Sequence, residues 1–541
     1  MFTSRAKIAQ RLLRRLHGTN ATPLAKRPAR PSVTMGRALA LGLGGAAGLL
    51  GSAMAVASLE SDDAVFTNWS ATHSCHPAKV YHPESLKELI DIVATHHAQQ
   101  KKLRVMGSGV SPNGLGFSDD SILTMSAFDR ILHVDAAKSQ VTVESGVVVG
   151  DLLSHLRTHG LTLQNVASIR EQSIAGVTQA GCHGTGAAIP PMEEQIVSME
   201  ILTPSQGLLT LDDPSDHRFQ LAKCGLGGLG VVTKLTLQCV PMHKLLETTT
   251  LYTLSELKKV HASLLVENQH LRYMWLPYTD KIVVVTCKPY TDGSPIGSRI
   301  SDDIEFRLEE LRALYKQVAT VPDPDHVNWR FTQLRDSLYA LDPLNARYIA
   351  RVNETEVSFW EKSQGSRVAL SDDVIGFDCG GQQLVSEVAF PSANGSDLTF
   401  MEDLLARIER DQIPAHTPIE QRWTASSRAA MSPASSPLQE QVFSWVGIIY
   451  YLHEASPSLD AIKDAFVDYS KLFEDVMAPY GAAEHWAKLE FAPRSALERH
   501  VLKDRLRSRF PLEAYRTLRN EWDPHHILSN DFVDELCSTD L

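Results

Sequence analysis

Cysteine is scarce: seven residues in 541, scattered, with no C-x-x-C pair. That is too few for a disulfide framework and excludes a cysteine-based zinc site, and no other metal centre is expected. Basic charge is also short. The formal net charge is -12, whereas a nucleic-acid binder needs a basic stripe, so no nucleic-acid partner is expected. Charged residues are frequent and the mean hydropathy is below zero, which excludes a multi-span membrane protein. Internal repeats and low-complexity tracts are missing. What remains, 43% hydrophobic and 21% charged residues at a mean hydropathy of -0.14, suits a soluble enzyme. At about 100–200 residues per domain the length predicts two to four domains.

Acidic residues are missing from the first 59 positions, which carry nine Lys/Arg. The rest of the chain carries 43 basic and 64 acidic residues, a net of -21. Ile8, Leu12 and Leu16 fall on one helical face, with Arg5, Lys7, Arg11, Arg14 and Arg15 around it. An Arg-rich, acid-free amphipathic start has the composition of a mitochondrial presequence, assigned to residues 1–37. Residues 38–59 form the uncharged run of 22, dominated by Gly and Ala. About 20 apolar residues cross a bilayer. A membrane anchor, a cleaved sorting signal and a flexible linker all remain open for this segment.

Beyond it, short strands and helices alternate irregularly, which predicts an α+β fold. Residues 101–106 read as a strand feeding a glycine turn, and 140–144 as an alternating strand. Residues 149–159 read as a helix, 231–240 as a strand, and 494–522 as a helical stretch. Three glycine clusters stand out: GSGVSPNG (107–114), AGVTQAGCHGTG (175–186) and CGLGGLGVV (224–232). The first follows a strand, and small residues there let backbone N–H groups turn toward an anion. The third contains G-x-G-x-x-G, and Glu247 lies about 20 residues on, but a helical stretch precedes it and a strand follows. The dinucleotide fingerprint needs the reverse order. A nicotinamide cofactor is therefore disfavoured, and a dinucleotide held another way stays open.

The glycine clusters combine with NWSATH (68–73), GLTLQNVASIREQ (160–172), GFDCGGQQ (376–383), PIEQRWTA (418–425), EHWAK (484–488) and PHHILSNDF (524–532). Together these strings resemble the vanillyl-alcohol-oxidase flavoprotein family, and within it the plant-type L-galactono-1,4-lactone dehydrogenases. The resemblance implies an FAD-binding domain over residues 60–240. It implies an α+β substrate (cap) domain over 241–541, with C-terminal helices returning toward the flavin. The implied reaction is oxidation of an aldonolactone at C2 to L-ascorbate, with cytochrome c as electron acceptor. An aldonolactone oxidase using O2, and an added role in assembling respiratory complex I, are the alternatives. The implied location is mitochondrial, on the inner membrane facing the intermembrane space or soluble within it.

The resemblance also assigns residues. Gly107, Ser108, Gly109, Val110 and Ser111 would lie against the FAD pyrophosphate. Ala167, Ser168, Gly176, Gly181, His183, Gly184, Gly186, Gly230 and Val231 complete the cofactor set. Relatives that bond flavin covalently carry His at the position of Val110, so FAD is expected to be non-covalent here. Glu420, Arg422 and Lys488 are the catalytic candidates. Glu420 and Arg422 are spaced i, i+2, which on a strand puts both on one face. Arg422, assisted by Lys488, would stabilise charge developing at the flavin, and Glu420 would position the substrate hydroxyls. Cys379 would lie near the substrate without taking part in the chemistry.

Overall fold

The computed structural model describes residues 65–438, 440–453, 456 and 459–538. The presequence at 1–37 and the apolar run at 38–59 fall outside the described residues. No described helix is long and apolar enough to cross a membrane.

The first half is built on two sheets. Arg104–Met106, Ser121–Thr124 and Lys79–Tyr81 pair in parallel, with Ser121–Thr124 in the middle. The helix Leu86–Gln99 covers them. Its start is fixed by Ser85, whose side chain accepts from the Glu88 N–H, and Leu89 and Val93 pack against Leu103 and Leu123. A five-stranded antiparallel sheet follows, in the order Gly207–Leu211, Ile196–Thr203, Val231–Gln238, Gln140–Glu144, Ile131–Asp135. The helix Val149–Arg157 packs Leu152, Leu153 and Leu156 on it. The same core takes Tyr515, Leu518, Trp522, Val533 and Leu536 from two helices near the end of the chain, Leu512–Trp522 and Asp531–Cys537. The helical stretch expected over 494–522 is two helices, Ala496–Arg509 and Leu512–Trp522. Pro511 divides them, because it has no N–H to donate and restricts the residue before it.

The glycine cluster at 224–232 lies between the helix His217–Ala222 and the strand Val231–Gln238. That is the helix–glycine–strand order read from the sequence. Glu247 forms an ion pair with Arg367 on a neighbouring strand.

The second half carries an eight-stranded antiparallel sheet. Its order is Gly365–Leu370, Lys244–Thr253, Lys281–Tyr290, His270–Trp275, Ile419–Ala425, Val442–Tyr451, Gln383–Ser392, Ala483–Glu484. Alternation along these strands separates two faces. Leu271, Tyr273, Trp275, Ile419, Trp423, Val446, Ile448 and Val388 point to one face. There they pack against the helices Leu254–Glu267, Ser396–Arg410 and Leu459–Met477. The residues between them point to the other face, toward the segment 165–186 of the first half. Gly186 is stitched to that sheet directly, its N–H donating to the Trp423 carbonyl at 2.6 Å. A further layer of helices, Ile304–Val318, Phe331–Leu341 and Ala346–Glu361, packs around Tyr315, Tyr339 and Phe359.

Candidate active site

Strand register assembles the site. Glu420 is paired with Met274 on one side and Gly447 on the other, and Gly447 in turn with Glu387. Two residues along, Arg422 is paired with Arg272 and Trp445, and Trp445 with Ala389. Because side chains repeat every second residue on a strand, Glu420, Arg422, Glu387, Trp445 and Arg272 share one face. Gly447 leaves no side chain between the two glutamates. Across this face lie His183 and Ser168 from the first half and His485 and Lys488 from the segment after the last strand.

Glu387 is the hub. It is 3% exposed and touches three nitrogen-bearing groups. Lys488 forms a tight ion pair with it, His183 Nε2 lies 3.1 Å from Oε1, and Arg422 Nη2 lies 3.5 Å from the same oxygen. Burial alone would raise this carboxyl, but Lys488, then His183 and Arg422, hold it well below the usual carboxylate range. Arg422 also reaches Glu420 Oε2 at 3.3 Å and donates to Ser168 Oγ at 3.4 Å. Burial would lower its pKa, and Glu420 and Glu387 outweigh that and raise it. Arg422 Nε and Glu420 Oε1 are buried with no hydrogen-bond partner. The Arg272 guanidinium lies 3.8 Å over the Phe377 ring, and its buried Nε is unpartnered too. A pocket of about 20 Å³, room for about one water, opens between Thr185, Arg272, Phe377 and Arg422. Unmet hydrogen-bonding capacity in a dry site is costly unless a ligand completes it.

His183 is buried and stacks on Trp445, with ring centroids 3.9 Å apart and planes 5° from parallel. Burial, then Arg422, lowers its pKa. Cys379 stands beside Glu420, Arg422 and Ser168, and burial pushes its thiol up to about 11. Such a thiol stays protonated at neutral pH and is a poor nucleophile. His183, Glu387 and His485 bring ligating atoms within 4.8 Å of one another. Lys488 and Arg422 already neutralise the only anion in that trio, which disfavours a cation there.

On the cofactor side, the loop 107–111 is held by the NWSATH segment. The Trp69 N–H donates to the Gly109 carbonyl at 3.0 Å, and the Asn68 amide to the Ser111 carbonyl at 3.0 Å. With those carbonyls occupied, the N–H groups of residues 108–111 find no acceptor among the described residues. A row of free amides beside Gly109, whose φ of 65° is left-handed, is an anion cradle. Val110, in the middle of the loop, is buried. The residues present therefore fit a phosphate-bearing cofactor.

The glycines serve a second purpose as well. A Cβ at Gly107 would stand 2.5 Å from Ser173 Oγ, which also crowds Gly176, so the loop packs tightly on the helix Ile174–Gln179. A Cβ at Gly184, where φ is 73°, would collide with Asn165. Asn165 donates to the His183 carbonyl at 2.8 Å and accepts from the Thr185 N–H at 3.0 Å, fixing the loop that carries His183. Gly181 closes the turn after the helix, donating to the Thr178 carbonyl at 3.2 Å. Gly230 abuts Ile201, and Val231 is wholly buried with Leu202, Ile527 and Leu528. The Gly230–Val231 contacts are thus with the core. Ala167 is partly buried at the edge of the core that the five-stranded sheet shares with the last helices, next to Ser168.

The structure thus brings Glu420, Arg422, Lys488, Cys379, Ser168 and His183 to one place, and Gly107, Ser108, Gly109, Val110 and Ser111 to another. Two buried side chains not picked out in the sequence connect the parts. Arg104 donates to the Leu115 carbonyl at 2.9 Å and the Leu226 carbonyl at 2.7 Å, joining the first and third glycine clusters. Asn113 donates to the Trp486 and Leu489 carbonyls, both at 2.8 Å, and so ties the first cluster to Lys488. Glu387 was missed as well. Its signal was a lone carboxylate in the strand Gln383–Ser392, which has no other charged residue.

An anion cradle joined to a dry, charged sheet face defines an FAD-dependent oxidoreductase, and the comparisons agree. An FAD-binding domain family matches residues 77–212, and the D-arabinono-1,4-lactone oxidase family matches residues 235–536. A cholesterol oxidase structure from B. sterolicum superposes with a TM-score of 0.70, covering 88% of this chain and 96% of that one at 16% identity. This shows the vanillyl-alcohol-oxidase-type fold. Oryza sativa subsp. japonica L-galactono-1,4-lactone dehydrogenase 2, mitochondrial, is 46% identical, covering 89% of this chain and 85% of its own. The Arabidopsis thaliana enzyme is 44% identical, covering 89% and 82%. Bos taurus L-gulonolactone oxidase is 26% identical, covering 87% and 98%. The chain belongs to the L-galactono-1,4-lactone dehydrogenase family.

Proposed function

We propose that this enzyme oxidises the C2 carbinol of L-galactono-1,4-lactone, giving L-ascorbate after enolisation, and passes the electrons to cytochrome c. The observation that carries this reading is the ion pair of buried Arg422 with half-buried Glu420, in which Arg422 Nε and Glu420 Oε1 are unpartnered. A polyhydroxylated, uncharged lactone offers both donors and acceptors to fill them. The similarity to plant dehydrogenases supports the choice of lactone.

FAD, held non-covalently because Val110 offers no nucleophile, supplies the acceptor for the C2 hydride. The remaining work belongs to the chain. Glu420 accepts hydrogen bonds from the lactone hydroxyls and orients C2. Arg422, fixed by Glu420 and Ser168, places a permanent positive charge where negative charge develops, and Lys488 adds a second. Arg422 is buried, so its charge acts in a low dielectric.

The presequence composition and the mitochondrial relatives support a mitochondrial location; within it, the apolar run at 38–59 suits the inner membrane facing the intermembrane space, or a soluble enzyme there if that run is cleaved. The test is steady-state turnover on L-galactono- and L-gulono-1,4-lactone, with cytochrome c reduction and O2 consumption followed in parallel. Galactonolactone-driven cytochrome c reduction with little O2 uptake is expected. Fast peroxide-forming turnover would show an oxidase instead. Acid precipitation should leave yellow flavin in the supernatant, and flavin retained in the pellet would contradict the role given to Val110.

A further inference from the structure

Arg272 stands on the same sheet face as Glu420 and Arg422, and the reaction described above leaves it without a task. It is the cross-strand neighbour of Arg422. Like charges set opposite one another in a sheet repel. Arg422 is matched by Glu420, and Lys488 by Glu387. Arg272 has no such partner: among the described residues its guanidinium forms no ion pair and no hydrogen bond, and rests only over the Phe377 ring, at 3.8 Å. The residue is half-buried, and its Nε is buried and unpartnered, as is that of Arg422. A guanidinium keeps all its protons, so both Nε–H groups are donors at any working pH. The pocket of about 20 Å³ lies between these two arginines and Phe377, with Leu271, Val285 and Val374 among its walls and no described Asp or Glu in its lining. It offers donors and lacks an acceptor.

Strand order places this pocket relative to the reacting centre. Arg272 is one strand from Arg422 and three strands from Glu387, on the side away from Lys488 and His183. One strand is a step of about 4.8 Å, close to the width of a five-membered ring. Phe377 belongs to the GFDCGG loop, whose Cys379 stands beside Glu420 and Arg422. With C2 of a lactone held at Glu420 and Arg422, the part of the molecule beyond the ring falls one strand further out, at Arg272. The volume there takes about one water-sized group. A lactone ring does not fit, and a hydroxyl does.

We propose that Arg272, braced by Phe377, binds the hydroxylated two-carbon side chain that the lactone carries at C4, and so is a specificity-determining residue. This inference rests on the carbinol oxidation proposed above. A side-chain hydroxyl oxygen accepts from the Arg272 and Arg422 Nε–H groups and takes the place of one water. Arg422 then touches the substrate at two points, and the side chain fixes where C2 lies along the sheet face. No bond is made or broken at this subsite. A site built to donate to a substrate hydroxyl discriminates strongly against an analogue that lacks it, because its buried donors are left unpaired.

The test compares two substrates of the FAD-loaded enzyme: L-galactono-1,4-lactone and the 2,3-dihydroxybutyrolactone of the same ring configuration, which has no side chain at C4. Wild type is expected to favour the full lactone in kcat/KM by about tenfold or more. Arg272→Met should lose about tenfold on the full lactone and stay within about twofold of wild type on the truncated one. Flavin content and denaturation midpoint should not move. A wild type indifferent to the side chain overturns the proposal even if no variant folds, and shows that the pocket holds only water. Equal losses on both lactones in Arg272→Met also overturn it, since Arg272 would then act through Arg422 or the fold. A wild type that oxidises neither lactone refutes the proposed function and takes this inference with it, an outcome distinct from turnover without discrimination.

Discussion

Two charge clusters in the second half of the molecule are built to opposite rules. In the helical layer, Arg335 pairs with Asp336 at 3.0 Å, and its guanidinium lies 4.3 Å over the Tyr451 ring. Asp336 also accepts from the Gly381 N–H at 2.8 Å, and Glu356 accepts from Trp360 and Thr417. None of Arg335, Asp336 and Glu356 has a buried atom without a partner. Burial raises both carboxyls here. On the sheet face, the Glu387 carboxyl is instead pulled down by two cations, while Arg422 and Glu420 keep unpartnered atoms. A closed network holds a fold together. An open one is tolerated only where something else completes it.

The largest effect expected is on the closed cluster. Arg335→Ala leaves Asp336 as an unpaired buried anion and should lower unfolding stability by about 3–5 kcal/mol. Denaturant titration checks this, with turnover per folded molecule largely retained. The open cluster should behave in the opposite way. Arg422→Ala should keep FAD and stability but lose turnover by about 10²–10³, the scale of one lost transition-state donor. Glu420→Gln should also slow turnover with little change in the denaturation midpoint. Equal stability losses in both clusters, with near-normal rates in the second, would remove the distinction between them.

The two clusters were not equally legible in the sequence. Glu420 and Arg422 stood out because IEQRWTA resembles a known motif; the i, i+2 charge pair alone reads as an ordinary surface ion pair. Lys488 came from the EHWAK string alone. Glu387 needed the register: only the pairing of Gln383–Ser392 with Val442–Tyr451, and of that strand with Ile419–Ala425, places it beside Arg422. Arg335 and Glu356 lie on separate helices with no local sign that they meet. The glycine clusters marked the cofactor side, but the resemblance assigned residues of all three to the cofactor alone. Gly107 and Gly184 also yield space to Ser173 and Asn165, contacts about 65 and 20 residues away or less that no local pattern reveals. The α+β class followed from element order, whereas the sharing of one core by the five-stranded sheet and the last helices depended on contacts across several hundred residues.

A smaller change should sharpen the contrast from the flavin side. Ala167 sits beside Ser168, the residue that Arg422 touches. Interiors are close-packed, so one methyl group can close a passage. Ala167→Gly should speed reoxidation of the reduced enzyme in air, by about tenfold if the methyl contributes about 1.4 kcal/mol to the barrier. Stopped-flow reoxidation measures it. An unchanged rate would place the barrier to O2 elsewhere.

Salt should have the smallest effect, and it separates buried charge from surface charge. Lys488, Glu387 and Arg422 are screened little by ions, because they are removed from solvent. The chain beyond residue 59 carries a net of -21, and much of that charge lies on the surface. If the electron acceptor is a strongly basic protein such as cytochrome c, long-range attraction speeds their encounter. The Debye length is about 10 Å at 0.1 M salt, so this steering fades as ionic strength rises. The second-order rate with cytochrome c should therefore fall several-fold between about 10 and 150 mM salt. Over the same range, turnover with a small neutral dye, which senses only the buried cluster, should hardly move. Parallel salt responses with both acceptors would mean that the acidic surface maintains solubility and does not guide the partner.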